Sequence, residues 1–229
     1  MDANDILTRY RHLRRLSIKH HHEALRRVTT DTMLECARQV GLAAGRTFLL
    51  ENENVEWPII ADLTLYTAAP GRSRGLDRHA RAALPKADAE EARFLRAMCD
   101  ARFSVWQVER HHDVSGVIMS DLLRGGEVWL VDEGFASVAE PGWMTAMRIA
   151  PVAEFFITCG VIVPTDQEIM ETAIQDRLAW VRAGDLPRVV DDPRFAVAMY
   201  RTALEQGVAA NVRYRDLSEP LPTRGASAA

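Results

Sequence analysis

Between about residues 103 and 164 the chain changes its hydrophobic period, and this change constrains the fold more than any other feature. Five short runs, RFSVWQVER, VSGVIMSDL, EVWLVDE, WMTAMRIAPV and EFFITCGVIVP, are rich in Val, Ile, Trp and Phe. Breakers separate them: His111-His112-Asp113, Arg124-Gly125-Gly126, Glu140-Pro141-Gly142 and Pro151-Val152-Ala153. β-Branched and aromatic side chains suit a pleated surface, and Gly and Pro supply turn geometry. Gly125-Gly126 admits the positive φ angles of a tight hairpin. The pattern predicts a small five-stranded antiparallel sheet or partly open barrel. Several runs are apolar on both faces, so one face must close on itself while helices cover the other.

Helical spacing dominates on either side. Ile6, Tyr10, Leu13 and Leu16 share one face of an N-terminal helix. Thr32 with Glu35 has the form of a capping box. Pro58 is expected near a helix start, with Ile59, Leu63 and Tyr66 on one face and Pro70-Gly71 as the stop. GLDRHARAALP reads as a short helix ended by Pro85. Asp88 and Glu91 cap the next helix, which buries Ala92, Leu95 and Cys99. After Pro164, Thr165 is the expected cap of a helix burying Ile169, Ala173 and Trp180, and a last helix runs from Pro193 to Gly207. The fold class is therefore α+β: a mainly helical region 1–102, a small β-domain 103–164, C-terminal helices 165–207 packing on it, and a largely disordered tail 208–229.

With 48% hydrophobic residues the 229-residue chain can bury a core, and its net charge of -4 argues against generic nucleic-acid binding. The charge is uneven. Residues 1–27 hold seven basic side chains against three acidic ones, a net of +4 on an acidic body. The start MDANDILTRYRHLRR lacks the apolar stretch of a signal peptide, and no run approaches a membrane span. A cytoplasmic location and no membrane association are expected. The cysteines Cys36, Cys99 and Cys159 are too far apart for a CxxC site.

Phe94-Leu95, Arg102-Phe103-Ser104, Val108, Gly116, Asp121-Leu122-Leu123, Gly126-Glu127, Gly142, Arg148-Ile149, Pro151, Gly160 and Pro164 form an ordered set, with a weaker echo from Trp57 to Asp77-Arg78. Over roughly 57–164 the chain thereby resembles uncharacterised bacterial proteins often associated with a SEC-C motif. The resemblance implies an architecture and no activity. The cysteine-rich SEC-C motif is absent here, so its zinc does not carry over.

Three segments could carry chemistry. In KHHHEAL, metal ligands on one helical face must sit three or four apart. His20 meets Glu23 that way, whereas His21 and His22 meet Ala24, Leu25 and Arg26. The run reads as an exposed polar stretch on a helix, although a loop would lift the constraint. In ERHHDVSG, His111, His112 and Asp113 are candidate metal ligands, Glu109 shares a face with His111 and Asp113 if extended, and His111 could act as a general base. In PGRSRGLDRHAR, backbone N–H groups at a helix start together with Arg72, Arg74 and Arg78 could bind an anion, and Arg14 and Arg15 add a basic helical face. Trp106, Trp129 and Trp143 could stack bases or pack the core. There is no GxSxG nucleophile elbow. These features rank a non-catalytic binding or adaptor protein first, with a protein partner or homodimer. A nucleic-acid-associated protein comes second and a metal-dependent hydrolase third. No cofactor is predicted.

Overall fold

A computed structural model describes residues 2–69, 71–177 and 186–211. Helix α1 (Ala3–Leu25) opens on a reciprocal cap between Asp2 and Asp5. Helix α2 (Thr30–Gln39) starts earlier than expected, because the Thr29 hydroxyl, not that of Thr32, accepts the Thr32 N–H. A two-stranded hairpin, β1 (Ala43–Ala44) and β2 (Thr47–Phe48), follows. Helix α3 (Glu53–Tyr66) holds Pro58 inside rather than at its start and ends before Gly71. Helix α4 (Gly75–Ala83) approaches α3 so closely that a Cβ on Gly75 would lie 2.9 Å from the Thr64 carbonyl oxygen. Helix α5 (Ala89–Cys99) has its expected cap, with Asp88 accepting from the Glu90 and Glu91 N–H groups.

All five expected strands form: β3 (Arg102–His111), β4 (Val117–Asp121), β5 (Glu127–Leu130), β6 (Met144–Val152) and β7 (Phe155–Thr165), with the short α6 (Glu133–Ala136) between β5 and β6. Of the expected antiparallel sheet or partly open barrel, the barrel forms, and it differs from the expectation in two features. The sheet is a closed barrel in the order β3-β4-β5-β7-β6, with β6 pairing back onto β3. It is also mixed, since β5 and β7 run parallel at Leu130 and Phe156. The second feature follows from the first. Strand directions cannot alternate around a closed ring of five, so at least one neighbouring pair must be parallel. Gly116 secures the β3–β4 turn: its φ is +80°, and a Cβ there would fall 2.2 Å from the Leu130 carbonyl oxygen.

Helix α7 (Gln167–Arg177) is capped by Asp166, whose carboxylate accepts the Ile169 N–H, rather than by Thr165. Helices α8 (Leu186–Val189) and α9 (Pro193–Glu205) follow. Trp180 and tail residues 212–229 lie outside the described residues.

Alternation along the strands sorts side chains into three apolar groups. Trp106, Val108, Val117, Met119, Leu130, Met147 and Ile149 fill the barrel. Phe103, Val105, Ala146, Val161 and Val163 face α2, α3, α7 and α9. Phe155, Ile157 and Cys159 face α1, α4 and α5. Helices thus cover two sides of the barrel, which accounts for strands that are apolar on both faces. Arg148 of β6 joins these layers. Its guanidinium donates to both carboxylate oxygens of Asp62 on α3 at 3.0 and 3.2 Å, and Tyr200 of α9 donates to Asp62 Oδ2 at 3.1 Å. Among the described residues, no helix is long and apolar enough to cross a membrane.

Candidate functional site

The helical phase of α1 splits its histidine run. His20 is buried, His21 partly buried and His22 exposed. His20 faces α4, where His79 comes within reach: His20 Nδ1 and His79 Nε2 are 3.0 Å apart, and the residues are 1% and 0% exposed. Glu23, one turn after His20, places Oε2 3.9 Å from His79 Nε2. On the other side of His20, Nε2 lies 3.3 Å from Glu91 Oε1, within ion-pair range but outside hydrogen-bond geometry. Lys19 Nζ donates to the same Glu91 oxygen at 2.6 Å. Burial is the main cause that lowers the pKa of both imidazoles, so they are held neutral. A cavity of about 500 Å³, lined by Lys19, His20, Glu23, Arg26, Lys86 and Glu91 among others, opens beside them.

His21 turns the other way, to Tyr66 Oη at 2.7 Å and Ser17 Oγ at 3.4 Å. Burial first, then the charge of Arg14, pushes its pKa down to about 3. Burial also raises the Cys159 thiol to about 12 and the Cys99 thiol to about 11, and raises Cys36 as well. None of the three cysteines is therefore held as the reactive thiolate.

A larger cleft, about 840 Å³, lies between α2, the end of α3, the 67–75 loop and the start of α9. Arg27, Arg72, Arg78 and Arg194 line it together with Thr29, Thr32, Thr67 and Ser73. Ala68, Ala69, Pro193 and Val197 supply apolar wall. Among the described residues its carboxylates are Glu35 and Asp192, and Asp192 already binds Arg194 through two hydrogen bonds of 2.9 and 2.7 Å. Among the described residues, Arg27 and Arg72 have no ion-pair partner. Arg27 lines both this cleft and the histidine-side cavity.

The structure separates the expected anion-binding arginines. Arg72 and Arg78 reach the cleft, Arg78 also donating to the Ser73 carbonyl. Arg74 does not line it and is engaged by both carboxylate oxygens of Asp77, at 2.8 and 2.7 Å, and by the Cys99 carbonyl. Arg14 lies against Gly160 of β7, and Arg15 is exposed. Other α1 cations are matched by carboxylates of the acidic body: Arg9 by Glu154, Arg11 by Glu133 and Lys19 by Glu91. The basic N-terminal segment is thus a packed helix, and three of its seven basic side chains pair with carboxylates elsewhere in the chain.

His111, His112 and Asp113 sit at the β3–β4 turn. Among the described residues they do not form a ligand cluster with a third donor. The His112 ring stacks on Trp129 at 3.9 Å, and its Nδ1 accepts the Val114 N–H. In OB-type five-stranded barrels, oligonucleotides lie across the second and third strands. In this barrel the second and third strands are β4 and β5, and the His112 ring covers Trp129 of β5. Trp106 is wholly inside the barrel, and Trp143 is exposed.

Sequence spacing missed the His20–His79 contact because the residues are 59 apart. The usable signal was the His20/Glu23 step, which put two donor types on one face of α1.

A family model described as a family of unknown function (DUF7986) matches residues 4–208. The match reaches well beyond the 57–164 segment of the expected resemblance and carries no SEC-C motif. No curated protein and no solved structure matches the chain.

Proposed function

The chain belongs to this family of unknown function, and on that premise we propose that the protein is a non-catalytic binding protein whose 840 Å³ cleft takes a small organic anion. The observation that carries this reading is the convergence of Arg27, Arg72 and Arg78 on one cleft that holds, among the described residues, too few carboxylates to balance them. Four cleft arginines face two carboxylates, one of which already holds Arg194. Guanidinium groups bind phosphate or carboxylate oxygens through charge-assisted, often bidentate, hydrogen bonds. The hydroxyls of Thr29, Thr32, Thr67 and Ser73 add shorter-range partners, and the Ala-Pro-Val wall suits an apolar or ring-bearing remainder. The volume falls in the range of small-molecule sites, about 300–1,000 Å³. A nucleic-acid strand would use the same arginines, but the pairing of α1 cations to Glu154, Glu133 and Glu91 favours the small ligand.

Calorimetric titration at low salt with pyrophosphate and with adenosine monophosphate tests the reading. Saturable binding, weakened about tenfold by Arg72→Ala or Arg78→Ala, a loss of about 1.4 kcal/mol, is expected. A steep salt dependence with a single-stranded oligonucleotide, and no binding of either small anion, would favour the polymer instead. No saturation by any of the three probes rejects the cleft as an anion site.

A further inference from the structure

We propose that His20, Glu23 and His79 form a site for a divalent first-row transition-metal ion, distinct from the arginine cleft. The three side chains offer two imidazole nitrogens and one carboxylate oxygen, all within 4.8 Å of one another. Tetrahedral zinc with bonds of about 2.0–2.1 Å requires its donors to be about 3.3 Å apart. The observed separations of 3.0 Å between His20 Nδ1 and His79 Nε2, and 3.9 Å between His79 Nε2 and Glu23 Oε2, bracket that value. Small side-chain movements bring the donors into range.

The ring nitrogens also point to an ion. As a hydrogen-bonded pair, two neutral imidazoles must place one proton between Nδ1 of His20 and Nε2 of His79. Among the described residues, both outer nitrogens, His20 Nε2 and His79 Nδ1, are buried without a hydrogen-bond partner. With both inner nitrogens bound to a metal as lone-pair donors, His20 must carry its proton on Nε2, facing Glu91 at 3.3 Å. That is the common arrangement of a ligating histidine, whose second N–H is oriented by a carboxylate. Lys19 holds the same Glu91 oxygen through a hydrogen bond of 2.6 Å. The helices supply the rest of the geometry. The step from His20 to Glu23 puts both on one face of α1, and α4 lies close enough to α1 for His79 to face them.

The cavity beside the donors gives an ion and a fourth ligand a path from solvent. Its wall also bears Lys19, Arg26, Arg27 and Lys86. These cations oppose a free divalent ion and favour an anion as its fourth ligand. Two imidazoles and a carboxylate suit zinc, and equally iron(II) with open positions.

The test is zinc titration of untagged, chelator-treated full-length protein, read by calorimetry and by metal content after desalting. One equivalent of zinc is expected. Glu23→Gln, at a partly exposed position, should lose most of the affinity while its circular dichroism stays that of the wild type. Glu91→Gln should weaken binding by about 10-fold or more through the second nitrogen of His20. His22→Ala, on the exposed side of the same run, should leave it unchanged. His79→Ala should abolish binding, and Glu23→Gln keeps the test open if that variant does not fold. Loss of binding in His22→Ala with retention in Glu23→Gln would assign the metal to a surface histidine and overturn the proposal. Absence of stoichiometric zinc in the wild type would overturn it as well.

Discussion

Replacing Arg148 with Met isolates what the buried ion pair does for the fold. Asp62 and Arg148 are 4% and 6% exposed, and both carboxylate oxygens accept from the guanidinium. Burial alone would lower the Arg148 pKa, but the charge and hydrogen bonds of Asp62 outweigh it and raise the value. Methionine keeps an unbranched apolar stem but loses the guanidinium, whose central carbon lies 4.7 Å from the Tyr66 ring centroid and 5.5 Å from that of Phe103. The Asp62 carboxylate would then be left in the interior with the Tyr200 hydroxyl as its named side-chain donor. Removing one partner of such a pair costs about 3–5 kcal/mol. For a chain of this size each kcal/mol shifts Tm by about 2–4 °C, so a fall of roughly 6–20 °C is expected. Removing the second charge as well, in Arg148→Met with Asp62→Leu, should recover much of the loss, because the stranded charge causes the penalty. Urea unfolding followed by circular dichroism measures both variants. A loss under about 1 kcal/mol in the single variant would refute the reasoning. So would a double variant as unstable as the sum of the two singles.

Acidification should destabilise the protein through its buried histidines. His20, His21 and His79 have folded pKa values below the usual 6.5, chiefly by burial, with His21 at about 3. The unfolded chain therefore takes up protons below pH 6.5 that the folded chain refuses. Stability is fully present above that pH and falls below it by up to about 1.4 kcal/mol per pH unit for each histidine. A urea midpoint that does not move between pH 7.5 and 5.5 would contradict this. Gly116→Ala should cost about 2 kcal/mol or more, from a positive φ and a clash with the Leu130 carbonyl; a thermal melt matching wild type would show that the turn relaxes freely. Arg11→Ala should cost less than about 1 kcal/mol despite its two hydrogen bonds to Glu133, because Arg11 is half-exposed; chemical denaturation reads the difference. The three thiols should react slowly with a disulfide reagent at pH 8 in the native state and fully in guanidinium, since burial raises all three pKa values. Fast native labelling of Cys159 would place it in solvent.

The sequence by itself determined the order and kind of the main elements, because those signals are local. A strand announces itself by two-residue alternation, and Gly125 and Gly126 adopt the positive φ angles expected of their turn. Asp88 caps α5 through neighbours two and three residues on. Where local signals competed, nearby residues decided: Thr29 took the cap expected of Thr32, and Asp166 the one expected of Thr165. Closure of the barrel was not local, since it depends on β6 meeting β3 some 40 residues away. Once closed, an odd ring made the parallel β5–β7 pair unavoidable. The same distinction governs the sites. Sequence spacing could pair His20 with Glu23, but only the crossing of α1 and α4 brought His79 to them. It could group Arg72, Arg74 and Arg78, but tertiary contacts turned Arg74 to Asp77, while α9 placed Arg194 on the wall that Arg72 and Arg78 share. Charge composition set a basic segment against an acidic body, and folding turned three of its seven cations into helix-to-body ion pairs. Covalent neighbours fix periodicity and caps, whereas donors that converge from separate helices depend on packing, which no spacing along the chain encodes.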